Sequence, residues 1–574
     1  MTIAYILMEV GNMVKKSIFT LLIVLFISIT AFSLTFEVSI SQDALDTVAS
    51  LGLETPINGR VLVIVSKDSS REPSLQTDVR GVPFWGKDVF EMTSESVVEI
   101  SDGDMAVAGY PIEISELPAG EYFVQAFVNV YTTFARADGH TILMHDDTGD
   151  GQWFWESVGN AKSKTKKIYL DPANPGTVKL AITEVIMPDY ELEPGMVLQQ
   201  GNYSDTEWVK YIKIKSDVVS EFWGKDMYIG ANVLLPEGYY DNPDVYYPVI
   251  YYQGHFPGGS APVGFRVNND VHKFWNEEGN ARFIAVSIRD ATPYYDTSYS
   301  VDSANSGPYG TAITEELIPY LESQFRMIPE KWARILAGGS TGGWEALAMK
   351  VFYPDFFGRT YVWYPDGVDF NYYQLINIYN DDNAYYSDFG WIKTERPSAR
   401  DTHGNIRFTV KQENYFEMAA GPSNRSGGQW SVWESTYSPV GADGFPQPIW
   451  DQVSGEINKK VADYWKKNYD LNYILQENWE EIGPKIAGDV HVAVGDMDNY
   501  YLNEAVYLLK AAMEKMENPV SDMTFDFGPN QGHGWKGWSP ADPSKALALQ
   551  EWLAQLSDYM KETAPEEAEK NWIY

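Results

Sequence analysis

The stretch that most constrains this chain is Ile335-Leu336-Ala337-Gly338-Gly339-Ser340-Thr341-Gly342-Gly343, an apolar run that enters a glycine-rich turn and passes into helical spacing over 344–352. A short unbroken apolar run reads as a strand buried on both faces of a sheet. A helix following so soon needs a strand-to-helix turn too tight for bulky neighbours. The surrounding text has the same grammar. Residues 247–253 (YPVIYYQ) and 282–288 (RFIAVSI) are further buried strands, 208–216 and 226–236 read as a strand pair, and 265–278 and 312–325 carry apolar residues at helical spacing. Strand and helix then alternate through 359–364, 489–494, 500–515, 523–527 and a closing helix at 544–561. This alternation predicts an α/β fold over 208–574, a mostly parallel sheet with helices on both faces and right-handed crossovers.

The first half of the chain is written differently. Residues 60–67 (RVLVIVSK), 96–100, 121–132 (EYFVQAFVNVYT), 167–170 and 177–185 are β-branched and aromatic runs separated by Gly, Pro and Asp, the pattern of an all-β sandwich. We read 34–186 as an immunoglobulin-like accessory domain and the Pro- and Gly-bearing stretch 187–207 as a connector. Within it, His145-Asp146-Asp147-Thr148-Gly149-Asp150-Gly151 resembles a calcium loop but lacks the distal glutamate of an EF-hand, and is read as a plain acidic turn with no metal. Residues 366–484 interrupt the later alternation, are loop-rich and aromatic, and read as an inserted lid or substrate-binding subdomain.

A chain of 574 residues affords two or more domains. Its 43 Lys plus Arg stand against 80 Asp plus Glu, a net charge of −37, and such a field repels phosphate backbones, so nucleic acid is not an expected partner. Cysteine is absent, which leaves no disulfide, no thiolate metal site and no lipidated cysteine. Lys15 and Lys16 precede an apolar run at 18–29, and Ala31-Phe32-Ser33 places small residues where a signal peptidase reads. Residues 1–33 are therefore expected to be a signal peptide, with Met13 as an alternative start because Glu9-Val10 is encodable as a bacterial ribosome-binding sequence. The expected location is secreted, periplasmic or cell-surface after cleavage near Ser33. An uncleaved anchor is the alternative, although the run is shorter than the ~20 residues of a spanning helix.

The chemistry converges on the glycine turn. A serine hydroxyl is a poor nucleophile until a base takes its proton, and that base is held in the right tautomer by a carboxylate. Gly338, Ser340 and Gly342 satisfy the G-x-S-x-G nucleophile turn of α/β hydrolases. The chain has seven histidines, and His533 is the one beyond the strand expected at 523–527, which makes it the candidate base. Strand 489–494 runs into Gly495-Asp496-Met497-Asp498, and Asp498 is the favoured acid with Asp496 as its rival. Asp366 and Asp369 are outlying candidates. The order Ser340, Asp498, His533 is that of α/β hydrolases. An oxyanion needs two backbone donors: Thr341 supplies the first, and in Gln253-Gly254-His255-Phe256-Pro257 the N–H of His255 or of Phe256 is the candidate second, since Pro257 has none.

These motifs, with Gly532-His533-Gly534-Trp535, resemble the putative-esterase family that includes esterase D, feruloyl esterases, enterochelin esterases and the antigen 85 mycolyltransferases. The resemblance covers about 208–563 outside the insertion. It implies an α/β-hydrolase fold, carboxylic ester hydrolysis without a cofactor, and a triad of Ser340, Asp498 and His533. The chain departs from that family in having Gln253-Gly254-His255 instead of a His-Gly pair, and in its long insertion. A β-domain fused to such an esterase is similar in architecture to exported esterases of thermophilic bacteria. The expected substrate is a small-molecule or polysaccharide-linked ester, feruloyl or acetyl. Trp344, Tyr364 and Trp535, with Trp363, Tyr372, Tyr373, Tyr385, Tyr386 and Trp391, either line an aromatic cleft for it or pack a core. A serine peptidase of the prolyl-oligopeptidase kind and a non-catalytic polysaccharide-binding protein are the alternatives.

Overall fold

A computed structural model describes residues 34–193, 195–256, 262, 264–267 and 270–574 of the chain. The leader expected over 1–33 and Pro257 lie outside the described residues.

The N-terminal unit is built from β1 (Thr35–Ile40), helix α1 (Gln42–Ser50), β2 (Ile57–Ser66), β3 (Phe84–Met92), β4 (Val98–Ser101), β5 (Ala108–Tyr110), β6 (Gly120–Ala135), β7 (Thr141–Met144), β8 (Ala161–Ser163), β9 (Lys166–Leu170) and β10 (Thr177–Val185). Alternation aims Phe36, Val38 and Ile40 of β1 inward. Ser41 caps α1 by accepting from the N–H of Ala44. Where two packed sheets were expected, the hydrogen-bonded path is continuous: β4-β1-β10-β8-β6-β2-β3-β5, with β7 and β9 also on β6. The sheet folds back on itself, so that Phe36 of β1 stacks on Trp85 of β3 with ring centroids 6.0 Å apart. The 16-residue β6 makes this continuity, pairing β2 along one edge and β8 and β9 along the other. β1 and β3 were not anticipated; Gly86, Lys87 and Asp88 interrupt the apolar pattern of β3.

The second unit is a mixed sheet of β11 (Val209–Ser216), β12 (Met227–Leu234), β13 (Val249–Gln253), β14 (Ile284–Arg289), β15 (Arg334–Gly339), β16 (Thr360–Trp363), β17 (Val490–Gly495) and β18 (Thr524–Gly528). Their order is β11-β12-β14-β13-β15-β16-β17-β18. β12 runs antiparallel to both neighbours and every later pairing is parallel. β13 and β14 are buried at every residue, as their unbroken apolar runs require. The helices include α2 (Asp217–Trp223), α3 (Thr341–Phe352), α4 (Val410–Ala420), α5 (Gln429–Tyr437), α6 (Lys459–Tyr469), α7 (Asn503–Met513) and α8 (Leu549–Thr563). Of the helix expected over 265–278, the described residues show Asp270–Trp275.

Helices α4 to α6 belong to the segment between β16 and β17. Their core is aromatic: Tyr373 meets Trp430, Trp433, Trp450 and Trp465 at centroid distances of 5.1–6.1 Å. The β-unit is seated on this segment. Phe416 of α4 stands edge-on to Phe84 and Tyr110, 5.6 Å from each. Buried Arg60 donates to the carbonyl of Ala419 at 2.8 and 3.0 Å and pairs with Asp88 at 2.7 Å, and Asp88 also receives Arg425 at 2.6 Å. A buried guanidinium is tolerated only with such complete pairing.

Candidate active site

Ser340 stands alone between β15 and α3, with φ 59° and ψ −125°. A non-glycine residue held there costs of order 1–3 kcal/mol and persists only where its surroundings over-determine it. The flanking glycines supply that determination. A Cβ at Gly338 would lie 2.1 Å from the carbonyl oxygen of Gly342, and one at Gly342 would lie 2.1 Å from that of Gln253. At Gly343 it would meet Trp363 O at 2.5 Å, and at Gly339 the Tyr364 hydroxyl at 2.3 Å. The Gly342 contact presses the end of β13, at Gln253 and the N of Gly254, against the first turn of α3. Thr341, fully buried, opens that helix, where N–H groups lack intrahelical acceptors.

The candidate acid and base meet at the ends of the last two strands. Asp498 is wholly buried, and its Oδ2 lies 2.8 Å from Nδ1 of His533. Its Oδ1 accepts from the N–H groups of Tyr500 and Leu502 at 2.9 and 3.3 Å. A carboxylate on Nδ1 fixes the proton there and leaves Nε2 as the basic nitrogen. Asp496 accepts from the hydroxyl of Tyr507 at 2.9 Å instead. Gly495 lets the two loops touch, since a Cβ would fall 2.3 Å from Gln531 O.

Four residues that sequence reasoning passed over, or read otherwise, hold this pair. Asn499 accepts from the His533 N–H at 3.0 Å and donates to Arg400 O at 2.8 Å. Arg400, from the inserted segment, donates to the carbonyls of Asp498 and Asp496 at 3.0 and 3.3 Å, with its guanidinium over Tyr501. The rings of Tyr364 and Tyr500 stand against the His533 imidazole at 4.6 and 5.1 Å. Only Tyr364 carried a sequence signal, its place among the aromatic residues read as cleft or core.

On the opposite flank, the half-exposed ring of His255 is held at Nδ1 by Asp296 at 3.0 Å and by the hydroxyl of Tyr295 at 3.2 Å. The Asp296 carboxylate pushes the His255 imidazole up to about 9. Tyr295 donates to Gln429, Gln429 to the Tyr299 hydroxyl, and Tyr299 to buried Asp366 at 2.6 Å. Asp366 also accepts from Thr341 Oγ1 at 3.1 Å and Trp433 Nε1 at 3.3 Å, and burial pushes its carboxyl up. A hydrogen-bonded chain thus joins the loop after β13 to the residue after Ser340. Asp369 is a helix cap, accepting from Asn371 and Asn472.

Two residues read as lining either a cleft or a core are buried. Trp344 is fully buried between Tyr299 and Tyr437 because α3 is buried from Thr341 to Val351. Trp535 packs against Gly528 and Trp538. Trp363, Tyr373 and Tyr385 are core residues as well, while Trp391 is 99% exposed at the tip of a hairpin. In the acidic turn, the carboxylates serve both the turn and its neighbours: Asp147 accepts from Gly149 N and from Gln200 N, each at 2.7 Å, Asp150 from Thr148 Oγ1 at 2.7 Å, and Asp146 from Lys225 at 2.5 Å.

Residues 224–366, from the end of α2 through the Ser340 turn to Asp366, match the family described as putative esterase, and the family resemblance read from the motifs is borne out over that segment. Among solved structures, a ferulic acid esterase is 15% identical with a TM-score of 0.35, the alignment covering 62% of this chain and 99% of that one. An S-formylglutathione hydrolase from Staphylococcus aureus is 11% identical with a TM-score of 0.33, covering 62% and 98%. A putative dipeptidyl aminopeptidase IV from Bacteroides ovatus is 10% identical with a TM-score of 0.34, covering 87% and 50%. No curated protein matches the chain by sequence.

Proposed function

We propose that this protein is a serine carboxylic ester hydrolase working through an acyl-enzyme. The observation that carries the reading is the Asp498–His533 contact at 2.8 Å, in a fold that holds Ser340 at φ 59° between β15 and α3. Ser340 Oγ attacks the ester carbonyl as His533 Nε2 takes its proton, and Asp498, still ionised, stabilises the imidazolium that forms. The tetrahedral oxyanion is met by the N–H of Thr341 and by that of His255 or Phe256. His533 then protonates the departing alcohol, and water, activated by the same nitrogen, releases the acid. No step calls for a cofactor.

The proposed substrates are feruloyl or acetyl esters of plant polysaccharide. The rings of Tyr364 and Tyr500 beside His533 suit a planar aromatic acyl group. The leader read over 1–33 supports a location outside the cytoplasm, with the folded-over β-unit as an accessory module. A fluorophosphonate probe with the wild type and Ser340→Ala tests the central claim, followed by short acyl nitrophenyl esters, feruloyl sugars and peptides. Labelling at Ser340 and ester turnover abolished in Ser340→Ala are expected. An unlabelled Ser340, or turnover confined to peptides, defeats the reading.

A further inference from the structure

We propose that the acidic turn of the β-unit is a positioning element of the candidate active site: through Gly151 packed on Phe256, it sets the loop that offers the second oxyanion donor. The inference rests on the reading of Ser340 as an ester hydrolase nucleophile. Gly151, at φ 62°, sits so close to the Phe256 side chain that a Cβ would fall 2.6 Å from its Cβ and Cγ. The Arg289 guanidinium, at the end of β14, lies 4.1 Å from the centroid of the same ring. Arg289 is fully buried and donates to Gln200 O at 2.8 Å. Gln200 in turn gives its N–H to Asp147 at 2.7 Å, and a Cβ on Gly149 would meet the Cα of Gly201 at 2.5 Å. Turn, connector, strand end and aromatic ring therefore form one closed clamp.

The next residue reaches the other wall. A Cβ on Gly427 would lie 2.7 Å from the carbonyl oxygen of Gln152, two residues before Gln429, which is bonded to Tyr295 and Tyr299. The β-unit thus touches both the loop after β13 and the segment whose Gln429 bonds Tyr295 and Tyr299. Oxyanion donors act only when aimed at the place where charge develops, so a ring that moves carries the adjoining N–H groups with it. Substituting the side chain of Phe256 leaves its N–H intact, which makes position, not donor loss, the quantity read out.

The test is a double-mutant cycle in the full chain with Gly151→Ala, Phe256→Ala and the double variant. Turnover of a short acyl nitrophenyl ester is divided by the fraction of sites that a fluorophosphonate titrates, which removes unfolded protein from the comparison. Each single variant is expected to lose about tenfold or more in kcat with KM little changed, since loss of one donor altogether costs about 10²–10³. The double variant is expected to be no slower than the slower single. Single variants with wild-type kcat per titrated site, or losses that multiply in the double, overturn the inference while leaving the nucleophile assignment standing. A wild type that neither labels nor turns over esters fails at the earlier reading.

Discussion

The two flanks of Ser340 are held by different physics. On the base flank, Asp498 and His533 are fixed by hydrogen bonds from their own loops and from Arg400, each with a donor, an acceptor and little slack. On the oxyanion flank, hydrogen bonds hold His255, but the adjoining Phe256 is fixed by contact with Gly151 of the acidic turn and Arg289 at the end of β14. A lost partner on the first flank leaves a buried charge unpaired, whereas a loosened contact on the second shifts atoms by degrees. Loss of Asp498 or His533 should therefore be near total and damage to the oxyanion flank graded.

The largest effect sharpens that contrast. Ser340→Ala is expected to lower kcat by about 10⁵–10⁶ with the fold intact, as removal of a nucleophile does elsewhere. Asp498→Asn comes next, at about 10⁴, because an amide donor facing Nδ1 selects the wrong tautomer. Steady-state kinetics on a short ester with far-ultraviolet circular dichroism checks both. If Asp498→Asn cost no more than Gly151→Ala, the two flanks would be equivalent.

What was legible follows the same division. The Ser340 turn could be read because each glycine answers a close backbone approach, a constraint written residue by residue. Asp498 and His533 could be named because each follows a strand whose apolar run is visible. Alternation along 34–186 tells which face of a strand is buried but not which strand it pairs, so one folded-over sheet was read as two. Ring-rich composition has the same blindness: Trp344 and Tyr364 both lie near the glycine turn, yet one is core and the other touches His533. Arg400 gave no signal at all and Gly151 only that of a turn, since their partners are distant in sequence.

The base flank depends on the inserted segment through Arg400, and Arg400→Ala measures how far. Losing its bonds to the carbonyls of Asp498 and Asp496 lets the acid loop drift, and kcat is expected to fall by about 10–10²-fold, with KM less affected. The segment is also tuned by pH. Burial pushes Glu434 up to about 7, even though it accepts from Asn424 and from Ile449 N. A carboxyl raised in the folded state binds its proton more tightly there than in the unfolded chain, where its value is about 4.3. Its contribution is full below about pH 4.3 and is lost as pH rises through about 7. Glu434→Gln keeps an acceptor for Ile449 N without the charge, so its Tm should fall less between pH 5 and pH 8 than that of the wild type, by a few degrees. Parallel melting curves across that range suffice.

The smallest effect belongs to the hairpin formed by Tyr386–Asp388 and Lys393–Glu395, whose tip exposes Phe389, Trp391 and Ile392. Trp391, at 99% exposure, buries nothing whose loss would matter. Surface substitutions of this kind stay within about ±0.5 kcal/mol. Trp391→Ala should therefore leave both the urea midpoint and the turnover of a soluble nitrophenyl ester unchanged. A fall in kcat for the soluble ester, with stability unaltered, would mean that the tip closes over Ser340 during turnover. The inserted segment would then belong to the substrate side of the site as well as to the base flank, and the division between the flanks would have to be redrawn around it.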